Sequence, residues 1–154
     1  MNSKPGNTED GLPDAEAAEV SQRAQKDSHK LENELSHAVI GAAVEVQRVL
    51  GTGLLESAYC AALAVELSER EIGFARELAV PALYRGRPLG VAYRADFVVE
   101  GALIVEVKAI DTVMEAHRAQ LLTYLRLAGL RLGLLINFHV FPVVKGIHRM
   151  ANKL

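Results

Sequence analysis

Two apolar runs, 93–99 and 102–109, meet at Glu100-Gly101, and three charges lie inside them: Asp96, Glu106 and Lys108. Short runs rich in Val and Ile around a Gly-containing turn read as a β-hairpin. Charge inside an apolar strand is costly unless it is paired, hydrogen-bonded or bound to a metal. This hairpin therefore constrains the fold and the chemistry together.

Glu106 and Lys108 are two apart and share one face of their strand. Register decides whether Asp96 joins them, because a slip of one residue turns a strand over. A two-residue loop pairs 99 with 102 and sets Asp96 opposite 105, on the wrong face. A three-residue loop, or one bulge, pairs 99 with 103 and Asp96 with Glu106. A site at these residues thus requires an odd loop or a bulge. Two carboxylates about 5 Å apart repel by about 3 kcal/mol at an effective dielectric near 20. Lys108 offsets part of that repulsion, and a hard divalent cation such as Mg²⁺ offsets more. A lysine beside paired carboxylates suits metal-assisted phosphodiester hydrolysis, with Lys108 serving the attacking water or the phosphate charge. The same pattern also fits a solvated strand face with a cross-strand ion pair.

The rest of the chain supplies one domain around that hairpin. Its 154 residues suffice for a single core. Residues 1–30 are polar and read as a disordered tail, with transient helix around 14–25. The globular part spans 31–154. Apolar residues at helical spacing predict a helix at about 31–50, broken by Gly51-Thr52-Gly53. A second helix is expected at about 54–72. Strands follow at 74–84, interrupted by Pro81, and at 89–99 and 102–109. Residues 114–128 read as a helix and 131–138 as a buried strand, with a last short strand near 140–144. The order is ααβββαβ(β), an α/β layer with a mixed sheet.

Charge and cysteine usage narrow the partners. Residues 1–30 carry four basic and six acidic groups (−2), residues 31–73 two and seven (−5), and residues 74–154 eleven and six (+5). A basic second half suits a polyanion. The single cysteine, Cys60, excludes a disulfide framework and a cysteine-rich zinc site. No signal-like or membrane-length apolar segment is present, so a cytoplasmic protein without a membrane partner is expected. No phosphate-binding glycine loop and no nucleophile elbow occurs.

Helical polar residues add candidates. Glu56 and Tyr59 stand at i, i+3 near the start of the second helix, where a carboxylate could be a further metal ligand or simply a favourable first-turn acid. Gln120 and Tyr124 stand at i, i+4 and share one helical face. His117, one turn earlier, has the ordinary structural role of a lone histidine as its alternative.

Five separated blocks then agree in order with a known pattern. They are Gly53-Leu54-Leu55-Glu56-Ser57-Ala58-Tyr59, Tyr93-Arg94-Ala95-Asp96, Glu106-Val107-Lys108-Ala109, Ala119 to Leu125 and Leu132 to Phe138. Over about residues 35–150 the chain closely resembles the GxxExxY protein family, placed in the PD-(D/E)XK nuclease superfamily. The resemblance implies a restriction-endonuclease-like core, a mixed central sheet flanked by helices. It implies Mg²⁺ or Mn²⁺ held by Asp96 and Glu106, with Glu56 as the helical acid and Lys108 as the catalytic lysine. Gln120 and Tyr124 look like the Q-x-x-x-Y element of recombination-type exonucleases in that superfamily. The implied activity is hydrolysis of DNA, with a catalytically inactive nucleic-acid-binding or regulatory module as the alternative. A body this small is expected to grip a duplex as a homodimer or within a larger nuclease complex. One departure is visible. The family usually has His two residues after the acid matching Glu45, and this chain has Gln47; a substrate or metal contact by that His would be missing here.

Overall fold

The computed structural model describes residues 15–153. Five strands form one mixed sheet, and three α-helices accompany it: α1 (Ala15–Leu50), α2 (Glu56–Glu69), β1 (Phe74–Tyr84), β2 (Arg87–Val99), β3 (Leu103–Lys108), α3 (Glu115–Ala128), β4 (Leu132–Asn137) and β5 (Ile147–Ala151). The sheet order is β1-β2-β3-β4-β5. Only β3 and β4 run parallel, joined by α3; the other neighbours are antiparallel. This is the expected mixed sheet flanked by helices.

The chain divides into two units, 1–31 and 32–154. In the first, residues 15–31 are helical and almost wholly exposed. Part of the segment that reads as a disordered tail is thus helix, consistent with good helix formers such as Ala15, Ala17, Ala18 and Gln22. Residues 1–14 lie outside the described residues.

In the second unit the sheet separates two cores. Val39, Ala43 and Val46 of α1 and Tyr59 and Leu63 of α2 pack with Phe97, Val105, Val107, Leu134 and Ile136. Leu121 and Leu125 of α3 pack with Tyr93, Ala95, Ile104 and Leu135 on the other side. β3 and β4 are buried on both faces, which explains their nearly unbroken apolar sequences. Gly133 lets α3 sit close to β4: a Cβ there would lie 3.1 Å from a Leu121 methyl.

One element differs from the sequence reading. The last strand is β5 at 147–151, not 140–144. Residues 143–146 instead form a 3₁₀ turn, and Gln47 bonds the backbone of that segment from α1. A long-range side-chain bracket of this kind has no local sequence signal.

Candidate active site

The β2–β3 hairpin has a three-residue loop. Val99 pairs with Leu103, Val98 with Ile104 and Phe97 with Val105. The next step of that register sets Asp96 opposite Glu106. The loop is fixed from outside the hairpin. Glu100 lies at φ 49 and Gly101 at φ 64. The Gly73 N–H donates to the Glu100 carboxylate at 2.6 Å, and the Glu100 N–H donates to the Gly73 carbonyl at 2.9 Å. Glu100 therefore ties the loop to the entry of β1.

Beyond Phe97 the two strands part. Ala95 belongs to the core under α3, whereas Phe97 belongs to the core under α1 and α2. Residues two apart share a face in a regular strand, so β2 turns over at Asp96. Its neighbour β1 kinks at the same level: Glu77 lies at φ 50, between the pairs Arg76↔Phe97 and Leu78↔Ala95. A non-glycine residue in this region is strained by roughly 1–3 kcal/mol. The kink frees Asp96 from the ladder. Its carboxylate instead accepts the Val107 N–H at 2.8 Å, and the Asp96 N–H donates to the Glu106 carboxylate at 3.4 Å.

Asp96 and Glu106 consequently lie against each other. Glu106 is only 8% exposed. Burial, then the negative charge of Asp96, pushes its carboxyl up to about 8, against the smaller opposing pull of Lys108. Glu56, at the first turn of α2, is also pushed up, chiefly by burial. Lys108 and the nearby Ala109 backbone oppose that shift, and Asp96 adds to it. Glu56 thus lies at the exit of β3.

From the other side of the sheet, Tyr124 stacks on Tyr93 with ring centroids 3.4 Å apart. The Tyr93 hydroxyl donates to the Tyr124 carbonyl at 3.2 Å. Burial raises the Tyr124 hydroxyl pKa, Glu106 raises it further, and a hydrogen bond with Gln120 opposes the rise. Asp96, Glu106, Glu56, Lys108, Tyr124 and Gln120 thus lie around the β2–β3 fork. Among the described residues, no group of three His, Cys, Asp or Glu side chains is arranged to hold a metal ion. Asp96 and Glu106 form a two-carboxylate pair, with Glu56 beyond it. Oxygen donors and unrelieved negative charge fit a hard divalent cation, which keeps several waters of its own.

Other residues of the motifs have structural work. Tyr59 is fully buried and stacks on Phe138. Its hydroxyl donates to the Gly51 carbonyl at 2.8 Å and accepts the Leu54 N–H, closing the turn that delivers Glu56. The His117 Nδ1 accepts the Met114 N–H at the start of α3. The Gln47 amide donates to the carbonyls of Phe138 and Val140 and accepts the Val143 N–H. Its bonds go to that backbone and to none of the site carboxylates.

Four site residues escape sequence reasoning. Arg76 and Glu77 line a cleft of about 180 Å³ with Glu56, Ser57, Cys60 and Asp96. Adjacent charges inside the run 74–84 were a signal of the same kind as Asp96. Tyr93 supports Tyr124. Asn137, paired with Lys108 across β3–β4, accepts the N–H groups of Ile110 and His139 and donates to the Ile110 carbonyl. It fixes the backbone just after the lysine.

The family model of the PD-(D/E)XK nuclease superfamily matches residues 33–150. No curated protein and no solved structure matches the chain.

Proposed function

Since the chain belongs to the PD-(D/E)XK nuclease superfamily, we propose that it is a metal-dependent nuclease hydrolysing DNA phosphodiester bonds. The observation that carries this reading is the close approach of Asp96 and Glu106 at the strand fork, where each carboxylate accepts a backbone N–H of the other strand, with Lys108 two residues further along β3.

Asp96 and Glu106 would hold Mg²⁺ or Mn²⁺, and Glu56 would add its negative charge beyond that pair. Such an ion supplies charge neutralisation and a more acidic bound water. Lys108 holds the attacking water by hydrogen bonding and offsets charge that develops on the phosphate oxygens. Tyr124, braced by Tyr93 and bonded to Gln120, positions the scissile strand together with that glutamine. Burial raises the Glu106 and Glu56 carboxyls in the metal-free pocket, and a bound cation would oppose that rise. No described helix is long and apolar enough to cross a membrane. A cytoplasmic setting, and a homodimer or larger nuclease complex, complete the proposal.

The test is cleavage of plasmid, linear and branched DNA with Mg²⁺ or Mn²⁺, beside Lys108→Ala and Asp96→Asn. Wild-type cutting that falls at least a hundredfold in both variants is expected. Cutting that survives both would remove this active site. Metal-independent DNA binding without any cutting would instead identify a catalytically inactive binding module.

A further inference from the structure

The β1–β2 ribbon carries a concentration of positive charge that the catalytic reading leaves unused. Residues 78–95 contain three arginines, Arg85, Arg87 and Arg94, and no acid. Elsewhere Arg48, Arg70, Arg118 and Arg131 each pair with a glutamate. Among the described residues the three ribbon arginines form no ion pair. Unspent cations on an acid-free segment complement a polyanion.

The shape is equally specific. Tyr84 pairs with Arg87 across a two-residue turn in which Arg85 lies at φ 49 and Gly86 at φ 74. Both central residues are left-handed, the geometry of the tight primed hairpin turns. Arginine is an unfavourable residue at the first of these positions, yet it occupies the tip. The Arg85 guanidinium lies 5.4 Å from the Tyr84 ring centroid. Behind the tip, Leu83 and Leu89 are about two-thirds exposed, at 66% and 65%. Ala79, Ala82, Gly90 and Ala92 keep the ribbon narrow.

We propose that the β1–β2 ribbon is a duplex-DNA-reading arm, entering the major groove with Arg85 and Arg87 on phosphates or guanine edges. This rests on the DNA part of the reading above and adds which form of DNA is gripped and by what. The major groove of B-DNA admits a two-stranded ribbon, whereas the deep, narrow major groove of A-form RNA does not. β2 links the arm to the catalytic fork. Arg87 is nine residues from Asp96, up to about 30 Å at 3.3 Å per residue. One turn of B-DNA is about 34 Å. The arm thus engages the duplex within one turn of the scissile bond.

The experiment measures binding to a 24-base-pair DNA duplex in EDTA at several salt concentrations. Wild type, Arg85→Ala/Arg87→Ala, Arg85→Lys/Arg87→Lys and Arg48→Ala are compared, with an RNA duplex of the same sequence as competitor. The double alanine variant is expected to bind at least tenfold more weakly and to lose about two from the salt slope, as for two phosphate contacts. The double lysine variant should keep most of that slope, Arg48→Ala, at an arginine paired with Glu45 on α1, should bind like wild type, and the RNA should compete poorly. Unchanged affinity in the double alanine variant would overturn the arm, as would equal competition by RNA. So would a wild-type dimer that Leu83→Ser/Leu89→Ser dissolves without changing DNA binding, since the ribbon would then be a self-association surface. Binding through the arm with no cleavage in Mg²⁺ would remove the nuclease reading alone. Cleavage with an unchanged KM in the double alanine variant would remove the arm alone.

Discussion

Asp96 and Glu106 show how two residues acquire properties that neither has alone. A carboxylate buried beside another cannot ionise at its usual pH, because both desolvation and like charge oppose it. Glu106 is therefore largely protonated at neutral pH in the metal-free protein. Glu106→Gln should then fold normally, with a Tm at pH 7 equal to or above that of wild type. It should also lose cleavage and the rise in Tm that Mg²⁺ produces in wild type. A variant that kept the full Mg²⁺ response would show that Glu106 does not face the cation. The sequence exposed these charges because polar residues stand out in an apolar strand. Arg76 and Glu77 carried the same signal, but they lie in a mostly exposed strand and were indistinguishable from surface charge.

Among the elements, long-range polar brackets set the geometry. Glu100 reaches back to Gly73 and fixes the three-residue loop. Gln47 reaches across 91 to 96 residues of sequence to hold 138–143. Sequence periodicity located the strands flanking the Glu100 bracket and the strand before the Gln47 bracket, and neither bracket itself. Gln47→Ala should cost about 2–4 kcal/mol, because it leaves buried carbonyl and amide groups without partners. Urea denaturation would measure that loss, and per folded molecule the DNA cleavage should stay near wild type. A large drop in cleavage with unchanged stability would instead give Gln47 a role in the chemistry. The final strand was misplaced for the same reason: the run 140–144 is apolar enough for a strand, but its backbone is claimed by Gln47.

For the whole molecule, the shared acidity of the fork links folding to protons and, on the proposed function, to metal. The Glu106 carboxyl is raised in the folded state above its unfolded value of 4.5. Between about pH 4.5 and 8 the folded protein thus binds a proton that the unfolded chain has released. Metal-free stability should fall as pH rises through that window. At the proposed metal site Mg²⁺ would take the proton's place, so its stabilising effect should grow over the same interval. Thermal melts from pH 5 to 8.5, with EDTA or Mg²⁺, check both slopes; a Mg²⁺ effect independent of pH would contradict the linkage. The sequence by itself determined the order of elements, the sheet's two-sided core and the charges worth attention, because apolar periodicity and misplaced charge are local properties. Only the tertiary structure decided that Asp96 meets Glu106. Their contact depends on a loop register held by Gly73 and on a kink shared with Glu77 of a neighbouring strand. Both are fixed by residues far away in the chain, where local pattern carries no information.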